Sequence, residues 1–395
     1  MKLAFYYHIP ILIKDDKLYM PSYLGVFVDS LASYSKVLFI VMHTANERES
    51  LECDYELRAN NIRHINLGPK TPAWHRAIFH RKVLSNALKP LDECTALIVR
   101  SPSPLAPVFH KYLSENCKLF FMIVGDYLEG ADHLKTSTYR DKIIYQFLRF
   151  NDFYFTKQIK RTNVLVNSVA LYNKYRPIAK SIELIKTTTL SVDDFSIRTD
   201  TCQKNEVKIL YTGRIDPAKG LFELIEAFEI ISNSYTNVSL HIVGWEQDSI
   251  NRPVEKQLLS RAKRLHIERK ITFHGRKSVG PELNQMYSNS DIYVIPSYHE
   301  GFPRTIWEAM ANSLPVIATE VGGIPEMLTN DENAILIKPR SVQAIVNAID
   351  RMIKNSEIRK KIIANGLTLA KNNTLEIQTL NIINCIKKHL HDEKI

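Results

Sequence analysis

Three absences frame this chain of 395 residues. It has only five cysteines, at 53, 94, 117, 202 and 385, an odd number without metal-like spacing. That argues against a disulfide framework and a zinc knuckle, and points to reduced thiols in a cytosolic setting. No apolar run approaches the ~18 residues needed to span a bilayer. The start, Met1 to Ile13, carries one lysine, is broken at Pro10 and has no small-residue cleavage site. It reads as a first core strand rather than a signal peptide. Finally, the glycines form neither a Walker A pattern nor G-x-G-x-x-G, which disfavours a magnesium-bearing P-loop and a nicotinamide dehydrogenase. Nucleophile triads, metal-ligand clusters, short repeats and low-complexity tracts are likewise missing.

What is present describes an enzyme-like globular protein, with 45% hydrophobic and 24% charged residues. The length favours two domains. The formal charge of +10 is uneven: residues 1–200 hold 27 Lys+Arg against 20 Asp+Glu, leaving 25 against 22 for the remainder. A phosphorylated substrate or an anionic lipid would answer to the basic first half. Nucleic acid would rest on net charge alone, and none is expected.

Short apolar runs alternate with helix-like segments throughout, the pattern of a mostly parallel α/β sheet. In the first half the strands read as Lys2 to Tyr7, Val37 to Val41, Ile62 to Leu67, Ala96 to Val99 and Leu119 to Val124. Gly25, just ahead of a helix-like segment from Val26 to Tyr34, suits either close approach of a ligand or an ordinary turn. Asp126 follows a strand end, where open α/β sheets place ligands, although a loop cap would look the same. Two basic stretches with interleaved aromatics, Trp74 to Leu91 and Tyr139 to Arg161, read as amphipathic helices. Each is either an ordinary solvated face or one that rests on an anionic membrane surface. The polar stretch from Asp193 to Lys204 is the linker candidate. A second βα series begins at Val207. The expected domains are residues 1–200 and 201–373, with 374–395 a helix packing back toward the first. The expected fold class is α/β, two Rossmann-like domains facing a cleft.

Chemistry concentrates in the second half. A strand ends in Gly213-Arg214-Ile215-Asp216-Pro217-Ala218-Lys219-Gly220. Arg214 offers a planar fork for phosphate oxygens and Lys219 a point charge; a surface turn with two solvated charges is the plainer reading. Further on, a strand from Ile292 to Ile295 leads through Glu300-Gly301-Phe302-Pro303 into a helix-like segment from Arg304 to Asn312, with a second carboxylate at Glu308. A helix start offers unpaired N–H groups and the positive end of a dipole. If both glutamates shared that helix they would lie ~12 Å apart, beyond the ~5–9.5 Å of a glycosidase pair. They suit opposite ends of a hydroxyl-rich ligand better than acid/base partnership.

Gly213-Arg214 to Lys219-Gly220, His274-Gly275, Ser290-Asp291 before a strand and Pro296-Ser297, Glu300-Gly301-Phe302 to Glu308-Ala309-Met310-Ala311, Pro315 to Ala318, and Gly322-Gly323-Ile324-Pro325-Glu326 occur in one order. Over residues 207 to about 340 this series closely resembles the retaining, nucleotide-sugar-dependent glycosyltransferases with the GT-B fold, the glycosyl transferases group 1. That family includes sucrose-phosphate synthases, envelope mannosyltransferases and capsule and lipopolysaccharide enzymes. The resemblance implies acceptor binding by the first domain and donor binding by the second. It implies catalytic roles for Arg214 and Lys219 on the donor diphosphate and for Glu300 on the sugar hydroxyls. Glu308 would hold the ribose, Arg276 and Lys277 would lie near the base, and Gly213, Gly301, Phe302, Arg304, Thr305, Asp126 and Gly25 would complete the donor site. Pro303 stands where the family usually has a glycine, and Arg304 where a hydrophobic residue is usual. No cofactor and no metal are expected. The expected partners are a nucleotide-sugar donor, a glycan or lipid-diphosphate-linked acceptor and an anionic membrane surface, with action on the cytoplasmic side. The rival is a nucleotide-sugar-binding protein without turnover.

Overall fold

The structure, a computed structural model, describes all residues except 73, 74, 77–80, 127, 129–137, 247, 249 and 392–395, with backbone only at 48, 81, 82 and 391. Its contacts divide the chain into two units, Met1–Thr187 with Glu376–Ile395, and Thr188–Leu375.

The first unit is built on seven strands: β1 (Lys2–Tyr6), β2 (Val37–Thr44), β3 (Ile62–Pro69), β4 (Ala96–Ser101), β5 (Lys118–Ile123), β6 (Asn163–Val166) and β7 (Ser181–Leu184). They are parallel throughout, in the order β7-β6-β5-β4-β1-β2-β3. Near-continuous apolar runs such as Ala96 to Val99, all fully buried, suit strands covered on both faces. The last two strands escape a reading of the sequence because β6 has only three apolar residues in a row and β7 alternates Ser181 and Glu183 with Ile182 and Leu184. Separate from them is a small antiparallel sheet of Leu12–Lys14, Lys17–Met20 and Tyr55–Glu56. The terminal helix, Leu375–His391, is fastened within this unit. Ser30 Oγ donates to Thr379 Oγ1 at 2.8 Å, and Lys388 pairs with Glu183 at 2.9 Å.

The second unit holds β8 (Val207–Arg214), β9 (Val238–Trp245), β10 (Ile271–Phe273), β11 (Ile292–Ile295), β12 (Val316–Thr319) and β13 (Ile335–Ile337). All pairings are parallel, in the order β10-β9-β8-β11-β12-β13. The helix Arg304–Ala311 buries Ile306, Trp307, Ala309, Met310 and Ala311 against this sheet's core. Each large side chain so removed from water stabilises on the order of 2 kcal/mol.

The division at 187/188 differs from the expected one at 200, and the stretch from Asp193 to Lys204 is no free linker. Its polar groups strap it to the second unit. Arg198 donates to the carbonyls of Ser290 and Asn312 at 2.9 and 2.8 Å, and Cys202 N–H donates to Asp291 at 3.0 Å. Asp200 pairs with the buried Arg359 at 2.6 Å. Polarity that suggested solvent is spent on internal hydrogen bonds.

Candidate active site

The second unit gathers its distinctive residues at the C-terminal ends of β8 and β11. Beyond β8, Asp216 accepts from Ala218 N–H at 2.8 Å and caps the short turn Pro217–Lys219. Gly220 then has φ 67°, and a Cβ there would come within 2.1 Å of the Pro296 carbonyl oxygen. Only glycine combines that left-handed backbone with that closeness. The loop after β11 docks alongside, with Tyr298 N–H donating to the Ala218 carbonyl at 2.8 Å.

This docking brings Lys219 and Glu300 together. Lys219 Nζ donates to Glu300 Oε1 at 2.5 Å, and Ser297 Oγ donates to the same oxygen at 2.7 Å. Both side chains are largely shielded, 15% and 11% exposed. Arg214, one element away, is exposed, and its guanidinium has no hydrogen-bond or ion-pair partner among the described residues. The Glu300–Gly301 turn is pinned from behind by Gly322, at φ 55°, where a Cβ would stand 1.5 Å from the Glu300 carbonyl oxygen. Gly323 N–H donates to the Gly301 carbonyl at 2.7 Å. Gly301 is exposed, and Phe302 stacks on Trp307 with ring centroids 4.5 Å apart.

Pro303 is the N-cap of the helix Arg304–Ala311, which has no side-chain cap and no acid in its first turn. A helix start of this kind suits an anion. Arg304 and Thr305 are half-buried at that start. Glu300 lies ahead of the helix, so the separation calculated for two glutamates on one helix does not apply. Glu308 faces inward and is 7% exposed. Thr189 Oγ1 donates to its Oε1 and Tyr287 O–H to its Oε2, both at 2.8 Å. Burial, then the Glu308 charge, raises the Tyr287 hydroxyl well above the ordinary phenol range, so it stays a donor. Thr212 Oγ1 joins the network, 2.6 Å from Tyr287 and 3.2 Å from Tyr293. Thr189, Thr212 and Tyr287 were not singled out from the sequence, because nothing in their spacing ties them to Glu308.

At the ends of β9 and β10, Arg276 lies over the Trp245 ring at 5.6 Å, both exposed, and Lys277 pairs with Glu282 at 2.6 Å. His241 Nδ1 and His274 Nε2 share a hydrogen bond of 2.8 Å. Burial pulls both below the usual histidine range.

Residues 194–368 match the family model described as glycosyl transferases group 1. The second unit belongs to that family. Among curated relatives, a capsular polysaccharide biosynthesis glycosyltransferase, CapM of Staphylococcus aureus, is 29% identical over 168 residues, 41% of this chain and 40% of CapM. The chain spans about 40% of the length of the curated relatives it first matches. Sucrose-phosphate synthase of Thermosynechococcus elongatus superposes with a TM-score of 0.72 over 99% of this chain and all of that one, at 18% identity. HepE of Anabaena in complex with UDP gives 0.71 over 98% and 100%, at 17%. These likenesses show the GT-B fold, with its two α/β units.

Within the group 1 unit the structure joins Lys219 to Glu300, lays Gly213 and Arg214 at the end of β8, and sets Glu308 behind the helix start. The expected residues of the first unit look different. Gly25 does not precede a helix: it sits inside Ser22–Ser33, buried, where a Cβ would meet the Tyr55 ring at 2.3 Å. Its small size is used for packing. Asp126 follows β5, accepts from Leu128 N–H at 2.9 Å and pairs with Lys174 at 2.6 Å. Of the basic stretch 74–91, residues 74 and 77–80 lie outside the described residues, and Arg81–Ala87 forms a helix. The other forms the helix Tyr139–Ile159, whose only buried residues are Asn151, Phe155 and Ile159. Tyr139, Ile143, Phe150, Phe153 and Tyr154 are exposed, beside Lys142 and Arg149. No described helix is long and apolar enough to cross a membrane.

Proposed function

We propose that the chain is a retaining, hexosyltransferase-type glycosyltransferase that moves a sugar from a nucleoside-diphosphate donor to a glycan or lipid-linked acceptor in surface polysaccharide or glycolipid biosynthesis. The observation that carries this reading is the meeting of Lys219 and Glu300 beside an exposed Arg214 and an uncapped helix start. As the bond from the anomeric carbon to the diphosphate breaks, negative charge collects on phosphate and positive character on carbon. Arg214, Lys219 and the N–H groups at Arg304–Thr305 stabilise the first, so cationic side chains take the part a metal ion could play at the leaving group. A donor diphosphate that engages Lys219 releases Glu300 to accept from the sugar hydroxyls. Glu308 accepts from the ribose by exchanging one of its internal donors, and the base stacks near Trp245 and Arg276. Retention follows from attack by the acceptor on the face the diphosphate leaves, with the departing phosphate taking the proton.

Transfer assays with a nucleotide-sugar panel, read by product mass, test the reading. Arg214→Ala and Lys219→Ala should each cost ~2–4 kcal/mol of transition-state stabilisation. Wild-type turnover by both variants refutes the assignment. Donor binding by calorimetry without hydrolysis or transfer supports a binding protein instead. For location, the basic, aromatic face of Tyr139–Ile159 suits the anionic inner surface of a cytoplasmic membrane. Flotation with anionic vesicles should show salt-sensitive binding, and no binding at low salt removes the idea.

A further inference from the structure

The first unit contains a cluster that the proposed donor site does not use. His8 follows β1, Lys70 follows β3, Arg100 lies next to the end of β4, and Arg76 comes six residues after Lys70. These strands are close in the sheet, and the four residues lie at its C-terminal edge, where open parallel sheets take ligands. Arg76 is 4% exposed, yet its Nε and Nη1 have no hydrogen-bond partner among the described residues. Arg100 Nε, His8 Nδ1 and Ser101 Oγ are buried and unpartnered as well.

Other contacts hold the cluster in place without satisfying it. The Arg100 guanidinium lies 4.9 Å over the Tyr7 ring, whose centroid is 4.3 Å from that of His8. The carboxylate acting on this region is Glu49, which is ion-paired with Lys70 and also within electrostatic reach of Arg76. Tyr6 supplies no charge, since burial pushes its hydroxyl up to about 12 and it bonds Ser103 at 2.8 Å. Burial, with Arg76, Lys70 and Arg100, drives His8 down to about 3. Among the described residues, three permanent cations thus face one carboxylate, Glu49.

A buried guanidinium without acceptors is among the least tolerable groups in a protein interior. Its planar fork matches the oxygens of a phosphate or carboxylate. We propose that Arg76, with Arg100 and His8, binds an oxyanion, phosphoryl or carboxylate, carried by the acceptor substrate. Attribution to the acceptor rests on the proposed function; the anion site does not. A role in packing alone makes a different prediction, because an apolar side chain of similar length would then destabilise or be neutral and no anion would respond to it.

The test uses the full chain carrying Arg214→Ala and Lys219→Ala, so that cations of the second unit do not compete. Thermal unfolding and calorimetry are run with inorganic phosphate, and in parallel with acetate, against chloride at equal ionic strength. Phosphate or acetate should bind and raise the melting temperature. Adding Arg76→Met should weaken that binding at least about tenfold, while the variant melts in chloride at or above its parent. Response to phosphate alone assigns a phosphoryl group, and response to acetate alone a carboxylate. No response in the parent, or an undiminished response in Arg76→Met, overturns the site. If Arg76→Met does not fold, Arg100→Gln carries the same test, and an undiminished response there overturns it equally. Anion binding without glycosyl transfer by the wild type refutes the proposed function and leaves the site standing; transfer without anion binding does the reverse.

Discussion

The two units place charge at the same edge of similar parallel sheets, but they balance it differently. In the second, Lys219 and Glu300 neutralise each other and Glu308 has hydrogen-bond donors on both oxygens, while the exposed Arg214 stays open to a ligand. In the first, Arg76 and Arg100 keep buried N–H groups without acceptors among the described residues. A site whose charges are already paired is held in shape and must exchange partners when its ligand arrives. A site with unbalanced cations gains partners from its ligand. The contrast teaches that the second unit's carboxylates are preorganised by their own chain, whereas the anion site proposed in the first unit would take its partners from a ligand.

Two measurements would break or sharpen that contrast. The larger effect is expected at Tyr287→Phe, which strips one donor from the buried Glu308 carboxylate. It should lower stability by ~1–3 kcal/mol and raise the KM for the donor more than it lowers kcat. A variant with wild-type melting temperature and KM would show that the network neither holds nor positions Glu308. The smaller effect concerns pH. His8 titrates near 3 in the folded chain and near its ordinary value of 6.5 when unfolded. Below about 6.5 the unfolded state takes up the proton first. Stability is therefore complete above that pH and falls as pH drops toward about 3, by at most ~1.4 kcal/mol per pH unit from this group. His64 and His110 shift the same way by burial and add to the acid limb. His8→Gln should flatten the limb, most clearly without phosphate. An unchanged limb would place His8 outside the acid response.

Much of the second unit was legible from the order of its residues. Gly220 and Gly322 occupy loop positions whose left-handed backbone and close neighbours admit only glycine, and they mark the order in which Arg214, Lys219 and Glu300 occur. Thr189 and Tyr287 were not legible, since any hydroxyl donor reaching Glu308 would serve and neither lies beside it in the chain. In the first unit the main strands stood out as apolar runs, but β6 and β7 have too few consecutive apolar residues to do so. Gly25 misled because a packing glycine and a ligand-approach glycine look alike until Tyr55 is seen against it. The stretch from Asp193 to Lys204 misled because polar residues that strap a segment down have the composition of a linker.

By itself the sequence determined the α/β class, the group 1 signature and the absence of known cofactor fingerprints, because periodicity and loop glycines are local properties. Tertiary structure alone decided which charges meet. Lys219 and Glu300 are 81 positions apart and Thr189 and Glu308 are 119 apart. The cluster around Arg76 draws on three separate segments, at His8, at Lys70–Arg76 and at Arg100. Side-chain pairing over such separations depends on strand order and loop docking, which a one-dimensional pattern does not encode.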